Sequence, residues 1–356
     1  MLTYITRRIL LIFPTLLGMT ALVFFVMGMA PGGIGGTMLD RFGNLKSEEA
    51  ARVREYYQKR YGLDQPLIVQ YGRWLNNISP VGTEEREDGT KRFGVKWPSL
   101  GESLEQHRPV SELMAERLPI TLLLNFISLP LVYAIGVGSG VIAARHRGGW
   151  FDRITSTTQL AMWSLPTIWV GVMMIGFLAN REYVKWFPTA GMHDMEAGNM
   201  LFLPSHDAAG WHLGYVLDGL WHIALPVVCL SLGSSAYLMK LTRGSMLENM
   251  GADYSRTARA KGLPERVVIY RHVFRNSLLA LITQAATILP AMIGGAVVVE
   301  SIFSIPGMGQ LGVQAVQARD REVVLAVALV GGLIGLLSQL IRDILYAMAD
   351  PRVSYD

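Results

Sequence analysis

The sequence predicts an all-α polytopic membrane protein with six transmembrane helices and both termini on the cytoplasmic side. Three observations predict it. The chain of 356 residues is 51% hydrophobic and only 17% charged, well below the quarter usual in soluble domains. Its apolar residues are gathered into six windows free of Asp, Glu, Lys and Arg: Ile9–Ala30, Pro119–Ala144, Ile154–Ala179, Gly219–Met239, Asn276–Val299 and Val323–Ile341. About 20 helical residues cross a hydrocarbon core of about 30 Å, so each window is long enough to span. Barrel strands would be about 10 alternating residues and are excluded by these lengths. Lastly, the basic residues between the windows gather on one side.

Arg7 and Arg8 precede the first window, and Arg145, Arg147 and Arg153 separate the second from the third. Lys240, Arg243, Arg256, Arg259, Lys261, Arg266, Arg271 and Arg275 crowd between the fourth and fifth, and Arg352 follows the sixth. Six alternating helices put all of these on one face, which the positive-inside rule makes cytoplasmic. The first window is too long for a signal-peptide core, and Pro31-Gly32-Gly33 follows it instead of a small-x-small cleavage site.

The chain divides accordingly into an N-terminal transmembrane helix (1–30), an extracytoplasmic segment with short helices (31–118), a core of five transmembrane helices (119–348) and a cytoplasmic tail (349–356). In the external segment, Ser47 reads as the N-cap of a helix with Glu48 and Glu49 in its first turn. Residues 80–96 lack apolar periodicity and read as a mobile loop, and 109–118 as a short helix leading into the second span. Trp186, Phe187, Trp211 and Tyr215 suit an interface belt. Cys229, the only cysteine, reads as a buried filler inside a span.

Residues 253–279, DYSRTARAKGLPERVVIYRHVFRNSLL, form a basic, helix-like stretch between two apolar windows. Met246, Met250, Tyr254 and Ala258 recur four apart, as one stripe of a helix. Gly262 can take the left-handed conformation that ends it, and Pro264 suits the first position of a second helix carrying Val268, Tyr270, Val273 and Phe274. An amphipathic surface helix with a sharp turn offers a grip to a partner protein. On the residues alone, a basic loop resting on anionic lipid is the favoured reading, ahead of protein docking.

This stretch resembles the cytoplasmic coupling loop (242–279) of ABC-importer permeases of the dipeptide/oligopeptide branch. That family's loop carries Glu-Ala-Ala-x-x-x-Gly. Here Arg256-Thr257-Ala258-Arg259-Ala260-Lys261-Gly262 departs at its first two positions and matches the peptide branch. RRILLIFPTLLGMTALVFFVMGMAPGG, SLPTIWVGV, WFPTAGM, VVVESIFSIPGMGQL and YAMADPRV resemble the same family along nearly the whole chain. The resemblance implies a type I ABC-importer permease fold in the inner membrane. It implies a second homologous permease subunit, two ABC ATPase subunits and an extracytoplasmic substrate-binding protein. The substrate class it implies is di- or oligopeptides; relatives carrying nickel, glutathione or oligosaccharide keep those substrates open.

Under that resemblance the ATPase-coupling residues are Tyr254, Arg256, Thr257, Ala258, Arg259, Ala260, Lys261, Gly262, Leu263 and Pro264, with contact running over 253–275. ATP and Mg²⁺ would bind the ATPase chains, since no Gly-x-x-x-x-Gly-Lys-Ser/Thr loop occurs here. No cofactor, metal or nucleic acid is expected on this chain, and no catalytic residue. Glu300 is a candidate gate residue or binding-protein contact, with an interfacial ion pair as the plain alternative. Asn125, Gln159, Ser164, Thr167, Ser231, Ser234, Ser235, Gln284 and Thr287 could line a path or simply join helices. Asp343 beside Arg342 reads as a structural pair. Prolines 166, 226 and 290 mark expected kinks. An intramembrane hydrolase would need a paired-Asp, Ser-His or His-Glu-x-x-His constellation at depth, and an ion-driven carrier would need charges at mid-membrane; neither pattern occurs.

Overall fold

Helices dominate the charge-free windows wherever their residues are described. The computed structural model describes residues 2–29, 65–85, 91–207, 210–278, 280–282, 284 and 297–349. The helix expected around Ser47, most of the fifth window with Thr287 and Pro290, and residues 350–356 fall outside them. Two units are distinguished, Met1–Leu118 with Leu311–Leu336, and Pro119–Gln310 with Leu337–Asp356. Among the described residues, four helices are long and apolar enough to cross a membrane, or five if one bent pair counts as a span.

In the first unit, helix α1 (Leu2–Met29) turns Phe24 fully inward and leaves Phe13, Leu17 and Leu22 more than half exposed. That is the pattern of a helix set against protein on one side and lipid on the other. Helix α2 (Leu67–Ile78) packs Tyr71 and Trp74 onto Phe24, Leu104 and Leu325. The Tyr71 hydroxyl donates to the Leu17 carbonyl at 2.9 Å, which satisfies the phenol in an apolar site.

A hairpin follows, β1 (Val81–Glu85) antiparallel to β2 (Lys91–Val95). The mobile loop expected at 80–96 is therefore corrected to a two-stranded hairpin. Its register sets Glu84 opposite Arg92 and Glu85 opposite Lys91. Asn76 clasps it to α2, donating to the Thr83 carbonyl and accepting from its amide, both at 2.8 Å.

Helix α3 (Val110–Arg145) runs without a break from the external segment into the second window. The separate short helix expected at 109–118 is its first turns. Pro119 forfeits one backbone hydrogen bond, which apolar helices accommodate. In the second unit the third window is divided: α4 (Trp150–Ser164) and α5 (Thr167–Met174), extended by a π turn at Ile175–Ala179, meet at 98°. The single span and kink expected there become a right-angle break. Pro166 holds Leu165 extended (φ −79°, ψ 129°) and cannot continue α4.

Helix α6 (Gly214–Gly251) exceeds its charge-free window at both ends. Gly136 and Gly140 let α3 lie against it. A Cβ on Gly136 would stand 2.9 Å from the Ser235 carbonyl, and one on Gly140 2.9 Å from that of Met239. This is small-xxx-small packing. Arg243 of α6 donates Nε and Nη2 to the Asp152 carboxylate of α4 at 2.6 and 2.9 Å. Between α5 and α6 the chain is irregular, with a second hairpin, β3 (Ser205–Asp207) and β4 (Gly210–His212). Beyond α6 come α7 (Asp253–Ala260), α8 (Glu265–Val267) with a π segment at Val268–Phe274, α9 (Val297–Ile302), α10 (Met308–Ala318) and α11 (Arg321–Ala349). Arg342 and Asp343 lie 3.6 Å apart, and Cys229 is buried.

Candidate functional site

Helix α7 has only eight residues, too few to hold a helix in water by itself. Its surroundings hold it. Ala258 is 5% exposed and joins Met246, Val268, Ile269, Val273, Val141 and Ala144 in one apolar cluster. Ser255, fully buried, donates its hydroxyl to the Asn249 carbonyl at 3.0 Å. The Tyr254 hydroxyl donates to Asn249 Oδ1 at 2.5 Å, and Asn249 Nδ2 reaches Ser277 Oγ at 3.2 Å.

The four-residue stripe read through Met246, Met250, Tyr254 and Ala258 is not on one helix. The chain breaks at Ala252 (φ −70°, ψ 153°), between α6 and α7. The Ala252 amide and the Ser255 hydroxyl both take the Asn249 carbonyl, satisfying it without another helical turn. Met246 and Ala258 still meet in the cluster, whereas Tyr254 is 38% exposed.

The end of α7 is a Schellman turn. The Leu263 amide donates to the Ala258 carbonyl at 3.3 Å and the Gly262 amide to that of Arg259 at 2.9 Å. These are the six-to-one and five-to-two bonds of that motif, and Gly262 holds the left-handed φ of +75° that it requires. No atom lies within 4 Å of where a Gly262 Cβ would stand. The demand for glycine is conformational, and the space beside it is open. Pro264 caps the next helix from outside, which starts at Glu265, one position later than expected.

Arg259 closes the corner. Its Nε and Nη2 donate to the two Glu265 oxygens at 3.1 and 2.9 Å, and its Nη1 to the Met250 carbonyl at 3.2 Å. The guanidinium thus ties the end of α6, α7 and α8 together. It holds the Glu265 carboxyl below its ordinary range through that hydrogen-bonded pair. Arg259 is bonded within its own chain and is partly exposed.

What remains outward is one face. Tyr254, Arg256, Thr257, Ala260, Lys261, Gly262, Leu263 and Pro264 are exposed, with Ser255 and Ala258 beneath them. Among the described residues, Arg256 reaches only Asp253, at 3.4 Å. The ten residues singled out in the sequence therefore form one element: eight on its surface, Ala258 as anchor and Arg259 as brace.

Glu300 belongs to a different node and is fully buried. Its Oε1 accepts from Thr121 Oγ1 and its Oε2 from the Gln310 amide, both at 2.9 Å. Thr121 Oγ1 in turn accepts from the Met308 amide at 2.8 Å. Because α10 starts at Met308, the carboxylate caps its N-terminus from a distance, where the helix dipole favours negative charge. Gly307 and Gly309 make room: a Cβ on Gly307 would occupy the Glu300 carboxylate, and one on Gly309 would stand 2.8 Å from the Val297 backbone. The donors to Glu300 are a hydroxyl and an amide in place of the cation of an interfacial ion pair.

The polar residues of the spans divide. Asn125, Ser164, Ser231 and Ser235 bond to carbonyls of their own helices. Thr167, Ser234 and Gln284 line a cavity of about 460 Å³. The Asp152–Arg243 pair, the Asn249 node and the Gly136/Gly140 face were not singled out from the sequence. The last had a readable signal in its Gly-x-x-x-Gly spacing.

Residues 136–355 match the family model described as binding-protein-dependent transport system inner membrane component. Residues 1–125 match the N-terminal model of the same systems. Among curated proteins, the oligopeptide transport system permease protein AppB of Bacillus subtilis (strain 168) is 36% identical over all of both chains. A putative peptide transport system permease protein of Brucella abortus (strain 2308) is 35% identical over 99% of each. The dipeptide transport system permease protein DppB of Alkalihalophilus pseudofirmus is 31% identical over all of both. A chain from the inward-facing MetNI methionine ABC transporter matches with a TM-score of 0.48 at 18% identity, over 67% of this chain and 97% of that one.

Proposed function

Since the chain belongs to the binding-protein-dependent transport system inner membrane component family, we propose that it forms half of a peptide path whose other half is a second, homologous permease. It is the permease subunit of an ABC importer. Relatives named for oligopeptide and dipeptide transport support peptides as the cargo. The subunit spans the cytoplasmic membrane six times with both termini inside, as the basic-loop asymmetry argues. ATP and Mg²⁺ bind two partner ATPase chains, an external protein delivers the peptide, and this chain carries no catalytic group.

One observation supports the coupling route above the others. A short helix with an exposed face ends in a Schellman turn at Gly262 and is braced to α6 and α8 by Arg259. A loop held only by lipid headgroups needs no such brace. In this reading Tyr254, Arg256, Thr257, Ala260, Lys261, Leu263 and Pro264 meet the ATPase. Gly262 permits close approach, while Ala258 and Arg259 transmit the push into α6. Glu300 bears on the gate through the loop it holds at 303–310.

Proteoliposomes containing both permeases, the ATPases and the binding protein test this. ATP-dependent peptide uptake should require this chain, and the chain alone should hydrolyse no ATP. Uptake undiminished when the chain is omitted contradicts the proposal.

A further inference from the structure

Two cavities lie along α6 in the second unit. The first, about 460 Å³, is lined by Thr167, Cys229, Ser234 and Gln284. The second, about 400 Å³, is lined by Gln159, Lys240, Arg243 and Gly244. Both lie in the size range of small-ligand sites. Trp163 of α4 and Tyr237 of α6 line both, so these two rings form the shared wall. The second cavity lies nearer the end of α6 from which α7 continues.

Among the described residues, each ring makes one polar contact. The Lys240 ammonium lies 5.3 Å from the centre of the Trp163 ring, and the Tyr237 hydroxyl reaches Gln284 Oε1 at a long 3.4 Å. Trp163 is 52% and Tyr237 41% exposed. Gln159 Oε1 is buried without a hydrogen-bond partner and belongs to a residue lining the second cavity. A buried carbonyl left without a donor is costly. The first cavity offers hydroxyls and an amide, which serve peptide bonds whatever the side chains.

We propose that Trp163 and Tyr237 form an inner gate between two chambers of the peptide path, latched by Lys240 and Gln284. This rests on the permease reading above. When the gate is shut, a reagent arriving from the coupling-loop side enters the second chamber and stops there. Loss of the Lys240 contact frees the indole and opens the first chamber.

The test uses the assembled complex in inside-out vesicles, with Cys229→Ser as background and single cysteines at Ser234→Cys or Gly244→Cys. A membrane-impermeant maleimide is applied outside these vesicles, without nucleotide. Gly244→Cys should react fast and Ser234→Cys slowly. Adding Lys240→Gln should speed the Ser234→Cys reaction about threefold to fivefold, the share of one exposed cation–π contact, and leave Gly244→Cys unchanged. Trp163→Ala should speed it further, and Lys240→Arg should restore slow labelling. Unchanged Ser234→Cys rates in both Lys240→Gln and Trp163→Ala overturn the gate while leaving the permease reading intact. A Gly244→Cys that labels only in right-side-out vesicles overturns the sidedness of the permease reading and the gate with it.

Discussion

Replacing Glu300 tests whether a buried carboxylate serves the fold or meets a partner. The residue is fully buried and accepts two hydrogen bonds, from Thr121 Oγ1 and the Gln310 amide. Hydrogen bonds to charged groups contribute about 1.5–3 kcal/mol each, so Glu300→Ala should cost about 3–5 kcal/mol, including the unsatisfied amide left at the start of α10. Glu300→Gln keeps one acceptor and places an NH₂ where a second was needed; about half that cost is expected. Thr121→Val should cost about 1–2 kcal/mol, and the double variant with Glu300→Ala should cost less than the sum, since the two share one bond. The assay is the half-life of the detergent-solubilised protein on heating, read beside peptide uptake. Uptake should fall in step with stability across the series. Uptake abolished in Glu300→Gln with an unchanged half-life would refute the structural role and return Glu300 to direct contact with cargo or binding protein.

Sidedness is checked by single cysteines: Ser205→Cys should label in intact cells with an impermeant thiol reagent, and Thr257→Cys only in inside-out vesicles. Gly140→Leu should destabilise the protein or prevent its accumulation, because a Cβ there already stands 2.7 Å from Thr242 Cβ; Gly138→Ala, with nothing within 4 Å, should be neutral. The Arg259–Glu265 brace should be insensitive to pH between about 6 and 8. Glu265 has a folded pKa below its ordinary value, so its contribution is complete above the unfolded pKa and fades only as pH falls through the lower folded one. Glu265→Gln should therefore weaken coupling at every pH in that window, measured as peptide-stimulated ATP hydrolysis by the assembled complex.

The spans were legible because charge-free length is a one-dimensional property, as α1, α3 and α6 show. Gly262 was legible too, since a glycine after a basic helix and before Leu-Pro admits few backbone solutions. The right angle at Leu165–Pro166 was not, because proline announces a break and tertiary packing decides its angle. The hairpin at 81–95 was hidden by its strands, which carry charge and glycine where alternation is sought. The brace made by Arg259 was not legible because its two partners, Glu265 and the Met250 carbonyl, meet it only once the Schellman turn has reversed the chain. The shared wall of Trp163 and Tyr237 joins residues 74 positions apart, which no local pattern relates.

The Gly262 turn is proposed to present α7 to an ATPase chain. The most direct measurement pairs peptide uptake with cross-linking from Thr257→Cys to a cysteine on the ATPase, in Gly262→Val and Gly262→Asn. At φ +75° valine is strained by about 1–3 kcal/mol, whereas asparagine tolerates this region. Gly262→Val should insert in the membrane yet lose uptake, with its cross-link lost or shifted. Gly262→Asn should retain most of both. Uptake and cross-links unchanged in Gly262→Val would show that residues 253–264 are not the coupling element.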